Sequence, residues 1–179
     1  MPASSIALHP VRLLLEGLPK VGKTTVVERL VELLVDADVP VGGFITREVL
    51  GDDGRRVGFT VRDLAGPEAW LAHQDFDTGI RVGRFGVDIA EFEQVGLVAL
   101  EREKLLLRNR VGVVIIDEIA SMELASPGFG QTIEEIFAGP LTVVATVHVH
   151  EYPVTDALKR RHDIELITVT ETNRDGLPT

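Results

Sequence analysis

The chain has 179 residues, of which 45% are apolar and 26% charged, enough apolar material for the core of one domain spanning 1–179. Acids outnumber bases 28 to 18, a formal net charge of -10, which argues against nucleic acid as a partner but leaves room for a small local anion site. The absence of cysteine excludes disulfides, thiolate metal centres and cysteine nucleophiles.

Met1–Pro10 carries no basic segment followed by an apolar one, and no apolar run reaches spanning length. The expectation is a cytoplasmic monomer without a membrane partner. Val11–Leu15 reads as a buried strand. Gly17–Lys23 is punctuated by glycine, and Thr24–Asp36 reads as a helix because Val27, Leu30, Val31 and Leu34 fall at helical spacing. Val41–Val49 and Arg56–Leu64 read as strands joined through the turn signal Gly51-Asp52-Asp53-Gly54. Glu68–Ile80 reads as irregular, with Trp70 as a packing anchor. Asp88, with Glu91 three residues on, is a capping pair for a helix through Arg108. Strands at Val111–Ile116, Leu141–Val147 and Ile164–Thr170 then alternate with helices at Gln131–Phe137 and Tyr152–Arg161. The alternation predicts an α/β fold: a mostly parallel, doubly wound sheet with helices on both faces and an antiparallel hairpin inserted near 41–64.

Two motifs carry chemistry. Gly17, Leu18, Pro19, Lys20, Val21, Gly22, Lys23, Thr24 and Thr25 fit G-x-x-x-x-G-K-[ST] directly after a strand and opening a helix, the context of a phosphate-binding P-loop. The glycines let backbone N–H groups turn inward, the helix N-terminus adds positive potential, Lys23 meets the β- and γ-phosphates, and the Thr24 hydroxyl is a Mg2+ ligand. The second motif is the apolar run Val113, Val114, Ile115 and Ile116 delivering Asp117 and Glu118 to the carboxyl edge of the sheet, followed by Ile119 and Ala120. Asp117 is the second expected metal residue, and Glu118 the acceptor that polarises an attacking water. Helix capping is the plainer reading of that acidic pair.

Together with other stretches, the two motifs resemble the THEP-type nucleoside-triphosphatase family, also called cancer-related nucleoside-triphosphatases, within the P-loop NTPase superfamily. The matching stretches include Val41-Gly42-Gly43-Phe44-Ile45-Thr46, Arg56-Val57-Gly58-Phe59, Val82-Gly83-Arg84-Phe85, Asp117-Glu118-Ile119, Met122-Glu123-Leu124, Val144–His148 and Asn173-Arg174-Asp175. The resemblance implies a P-loop NTPase fold, hydrolysis of ATP, GTP and other nucleoside triphosphates with Mg2+, little base preference, and nucleotide contacts in segments 17–24 and 113–120. Lys20 stands where that family commonly has glycine, and Ala120-Ser121 where it commonly has Gly-Lys.

Arg84 is the first candidate for stabilising charge on the transferring phosphoryl group, ahead of Arg56. Asn173 and Arg174 follow the last strand and are candidates for a base contact, Arg174 by stacking. His148 is read either as a phosphate sensor or as a strand-end histidine. The expected partners are ATP, GTP, CTP and UTP. A nucleotide or small-molecule kinase and a nucleotide-dependent interaction switch are the alternatives. The 41–64 hairpin is poor in arginine for a kinase lid.

Overall fold

A computed structural model describes residues 10–107 and 111–178; most of the N-terminal stretch read for a leader, and Arg108 at the expected helix end, lie outside them. One nine-stranded sheet runs through the molecule in the order β5-β6-β4-β3-β2-β7-β8-β1-β9. Its parallel part comprises β2 (Val41–Leu50), β7 (Val113–Ile119), β8 (Thr142–His148), β1 (Arg12–Gly17) and β9 (Glu165–Thr168). Side chains alternate between the two faces, as the pleat requires. Leu14, Val114, Ile116 and Ala145 enter a core under α3 (Val98–Leu106) and α4 (Pro127–Ala138). Leu15, Val113, Ile115 and Val144 enter the opposite core with Val26 and Val27 of α1 (Lys23–Asp36). Both faces are covered, which is why these strands read as continuous apolar runs.

The antiparallel part is larger than the expected hairpin. β2 pairs with β3 (Arg56–Asp63) through the Gly51–Gly54 turn, and β4 (Glu68–His73), β6 (Phe85–Val87) and β5 (Arg81–Val82) extend it. Glu68–His73, read as irregular, is thus a strand. Its pairing is supplied by β3, with a bulge between Phe59 and Thr60, and the local sequence alternates too briefly to signal it. Gly83 and Arg84 form the two-residue turn between β5 and β6, with Gly83 at φ 58°.

Asp88 caps its helix as read, accepting a hydrogen bond from the Glu91 N–H at 3.1 Å. The helix is broken, however, into α2 (Ile89–Phe92), a π-turn at Glu93–Leu97, and α3. The π-turn presents Glu93 to the Ser126 hydroxyl at 2.6 Å. Ser126 in turn caps α4, which starts at Pro127, four residues before the expected Gln131. Proline in a helix's first turn gives up only an N–H that has no helical partner, so Pro127 opens the helix without loss. The last helix, α5, is Pro153–Lys159.

Candidate nucleotide-binding site

The site lies at the carboxyl edge of the parallel strands, where β1 gives way to α1 and where β7 and β8 end. Gly22 caps α1 in a left-handed conformation (φ 109°) and offers no side-chain acceptor, and no acid stands in the first turn. The helix N-terminus is thereby left to an outside anion. A Cβ on Gly22 would meet the Arg174 Cδ at 3.0 Å. Lys20 also takes a left-handed backbone, φ 65°, so the loop imposes a glycine-like conformation on a lysine.

Lys23 is buried, donates to the Gly17 carbonyl at 3.0 Å and lies 3.5 Å from the Glu118 carboxylate. The ammonium therefore spans the P-loop and the end of β7. The β7–β8 ladder shifts register between Ile116 and Ile119. Asp117 and Glu118 fall in that irregularity, which redirects both carboxylates at the strand end. Asp117 is 1% exposed and accepts a hydrogen bond from the Thr146 hydroxyl through one oxygen. Its other oxygen, Oδ2, is buried without a partner among the described residues. Burial raises the Asp117 pKa to about 6, and the hydroxyls of Thr146 and Thr24 oppose the rise.

A cavity of about 470 Å3 is lined by Lys23, Thr24 and Glu118, while Asp117 lies buried behind the lining. Pro19, Lys20, Gly22, Lys23, Thr24 and Thr25 form one wall, and Glu118, Ala120, Ser121, Met122 and Glu123 another. His148 and Tyr152, with Thr46, Glu48, Arg56 and Phe59 of β2 and β3, complete the lining. Glu123 is 3% exposed, with Oε2 unpartnered, and its pKa is raised to about 8 by burial first and by Glu118 second. The His148 pKa is lowered by burial against the pull of Glu118.

The predicted residues separate by role. The lining includes most of the P-loop with Glu118 and Ala120, while Leu18 is exposed and Val21 packs into the core beside α1. Val113, Val114, Ile115, Ile116 and Ile119 are buried scaffold that fixes the end of β7. Arg84 is exposed, lies outside the lining, and donates to the Arg56 main-chain carbonyl. Asn173 donates to the Thr168 carbonyl at 2.9 Å and accepts from the Thr170 N–H at 2.8 Å, capping β9. Arg174 donates to the Val21 carbonyl at 3.1 Å and lines a second cavity of about 280 Å3 with Gly22, Thr25, Val26, Arg29 and Asp175. His148 and His150 stack at 4.3 Å, but among the described residues no group of three or more acidic or histidine side chains would hold a metal. Sequence reasoning missed Thr146, Glu48, Glu123 and Tyr152 as site residues. Glu48, Glu123 and Thr146 stood in matched stretches without a role assigned to them, whereas Tyr152 carries no local motif.

Mg2+ fits the residues present. A buried carboxylate oxygen with no partner, beside the P-loop threonine, is a hard oxygen donor set, and Mg2+ commonly takes one or two protein carboxylates and completes its shell with water and phosphate.

A family model described as NTPase matches residues 12–179. The chain is 43% identical over 168 residues to "Nucleoside-triphosphatase THEP1" of Thermofilum pendens, covering 92% of this chain and 90% of that one. It is 34% identical over 172 residues to the human "Cancer-related nucleoside-triphosphatase", covering 91% and 90%. The crystal structure of THEP1 from the hyperthermophile Aquifex aeolicus superposes with a TM-score of 0.84 at 33% identity, covering 92% of this chain and 93% of that one. With the P-loop, the acidic end of β7 and the surrounding sheet all in place, the chain belongs to the NTPase family.

Proposed function

We propose that this protein is a Mg2+-dependent nucleoside-triphosphatase that cleaves the γ-phosphate of ATP, GTP, CTP and UTP with little base preference. The observation that carries this reading is one cavity lined by Lys23, Thr24 and Glu118, with Asp117 buried behind its wall, beside Thr24 and with one carboxylate oxygen unpartnered among the described residues. Lys23 and the N-terminus of α1 hold the phosphates. Thr24 and Asp117 would hold the metal ion, which supplies positive charge to the phosphate oxygens when bound. Glu118, 26% exposed on the cavity wall, accepts a proton from the attacking water. A bond forms from the water oxygen to the γ-phosphorus, the bond from that phosphorus to the β,γ-bridging oxygen breaks, and the nucleoside diphosphate leaves, with inorganic phosphate as the other product. The names carried by the relatives support the same activity.

Broad base use follows from the second cavity. Asn173 has its amide engaged with β9, and Arg174 offers a cationic plane next to Gly22, which favours stacking over edge reading. Phosphate release measured with the four triphosphates, with and without Mg2+ and candidate acceptors, tests the reading. Acceptor-independent release within about tenfold across the four bases is expected, since one bidentate base contact is worth only about 1–3 kcal/mol. Release that requires an acceptor would make the protein a kinase, and binding without turnover would make it a switch.

A further inference from the structure

Lys23 and the start of α1 line the cavity from the P-loop, and an overhang of the sheet contributes Thr46, Glu48, Arg56 and Phe59 to the same lining. The parallel pairing of β2 with β7 stops at Ile45 and Asp117, while β2 continues to Leu50 paired to β3. The overhanging pair brings Glu48 opposite Phe59, and Leu50 opposite Arg56.

Arg56 is the one arginine lining the larger cavity among the described residues. The other candidates are engaged elsewhere: Arg47 with Glu28, Arg102 with Asp63 and Arg161 with Asp163. Arg29 and Arg174 stand at the second cavity. Arg56 donates from Nη2 to Glu48 Oε2 at 2.5 Å, and its guanidinium carbon lies 5.1 Å from the centre of the Phe59 ring. Its Nε is shut off from solvent and has no partner among the described residues. A buried guanidinium donor left unpaired carries a desolvation cost, and the exposed part of the same side chain, 30% accessible on the cavity lining, is what a phosphate oxygen would meet. Glu48 also meets Lys20 of the P-loop at 3.6 Å, so one carboxylate ties the phosphate-binding loop to the strand bearing Arg56.

We propose that Arg56 is a catalytic residue, the guanidinium that meets charge developing on the transferring phosphoryl group in the cavity that Lys23 also lines. Glu48 is its positioning residue, and Arg84 braces its main chain. This rests on the nucleoside-triphosphate reading of the cavity. Charge compensation of this kind acts mainly in the transition state, so it appears in kcat more than in binding.

The experiment compares wild type, Arg56→Ala and Arg56→Lys in three measurements. These are phosphate release, calorimetric affinity for a non-hydrolysable ATP analogue with Mg2+, and capture of ADP with aluminium fluoride and Mg2+, which mimics the transferring group. Arg56→Ala is expected to lose about a hundredfold or more in kcat, keep analogue affinity within about threefold, fail to capture the fluoroaluminate complex, and regain turnover when guanidinium is added. Arg56→Lys, with its charge but not its planar fork, recovers only part of that loss. Retained analogue affinity also certifies that the variants are folded. Capture by Arg56→Ala at wild-type affinity, or loss of analogue affinity equal to the loss in kcat, would overturn the assignment of Arg56 alone. A wild-type protein that binds no analogue would overturn the nucleotide reading and this assignment with it.

Discussion

Replacing Glu118 by glutamine separates chemistry from binding in opposite directions. The amide keeps the size of the side chain and removes the proton acceptor, so hydrolysis should fall by about 10² or more, equivalent to about 2.7 kcal/mol of barrier. Binding should move the other way. Glu118 holds Lys23 at 3.5 Å, and an incoming phosphate must compete for that ammonium. The pair is partly screened, with Glu118 26% exposed, so its worth is at most about 1 kcal/mol. Glu118→Gln should therefore bind ATP as tightly as wild type or up to about fivefold tighter. Lys23 keeps its bond to the Gly17 carbonyl and stays aimed at the loop. Single-turnover phosphate release and calorimetry on the same preparation measure both effects. Turnover within a few-fold of wild type would show that the acceptor lies elsewhere. Affinity and turnover falling together would show that Glu118 holds the ligand and does not activate water.

Three further outcomes test the scaffold. A Cβ on Gly43, whose φ is 107°, would stand 2.0 Å from the Ile115 carbonyl oxygen; Gly43→Ala should cost about 3 kcal/mol in urea denaturation from backbone strain and an opened ladder, and a cost under about 1 kcal/mol would contradict the close approach of β2 and β7. Lys20→Gly should leave stability unchanged or raise it by up to about 1 kcal/mol, because the left-handed backbone suits glycine and the lost ion pair to Glu48 is exposed; a clear loss would refute the strain. An unfolded glutamate ionises near 4.5 but buried Glu123 only near 8, so the folded state holds the extra proton between those values and stability falls as pH rises through that window. Asp117 acts in the same direction only up to about 6, so between pH 6.5 and 8 the fall belongs to Glu123. Glu123→Gln should flatten the denaturation midpoint over that range, and identical slopes would count against a buried carboxyl there.

What the sequence disclosed follows from how local each signal is. The P-loop and the Asp117–Glu118 end of β7 are contiguous, because strand, turn and helix start must follow one another in the chain to shape them. The parallel strands are equally legible, since burial on both faces leaves an unbroken apolar run such as Val113–Ile116. β4, β5 and β6 are short and take their definition from partners across the sheet, so nothing within Glu68–Val87 announces them. The π-turn that breaks the predicted helix is likewise a packing event, with Gly96 lying against Phe92 and Val61. Glu48 and Arg56 become site residues only through the reach of β2 and β3, a property of sheet register that no spacing records. Arg84 and Arg56 stood in equivalent motif contexts. The register of β5 with β6 puts Arg84 in the turn, outside the cavity, while the register of β3 with β2 puts Arg56 inside it.

The continuity of β2 through both parts of the sheet is what makes one site of two distant segments. Its N-terminal half is locked beside β7 by the pairs from Val41 with Val113 to Ile45 with Asp117. Glu48 lies three residues past that last pair, and at about 3.3 Å per residue it stands about 10 Å beyond the level of Asp117. That distance brings the carboxylate to the cavity lining, where Lys20 of the P-loop and Arg56 of β3 both meet it. A flexible loop carrying the same residues would lose conformational freedom each time it closed. A strand already paired on both sides of the junction does not. Its position is set by the Gly43–Ile115 approach, far from the phosphates, and the π-turn and α3 that pack on β2 hold it from behind. Changes at Gly43 should therefore reach activity through the height of Glu48 and Arg56 above the P-loop, before they unfold the chain.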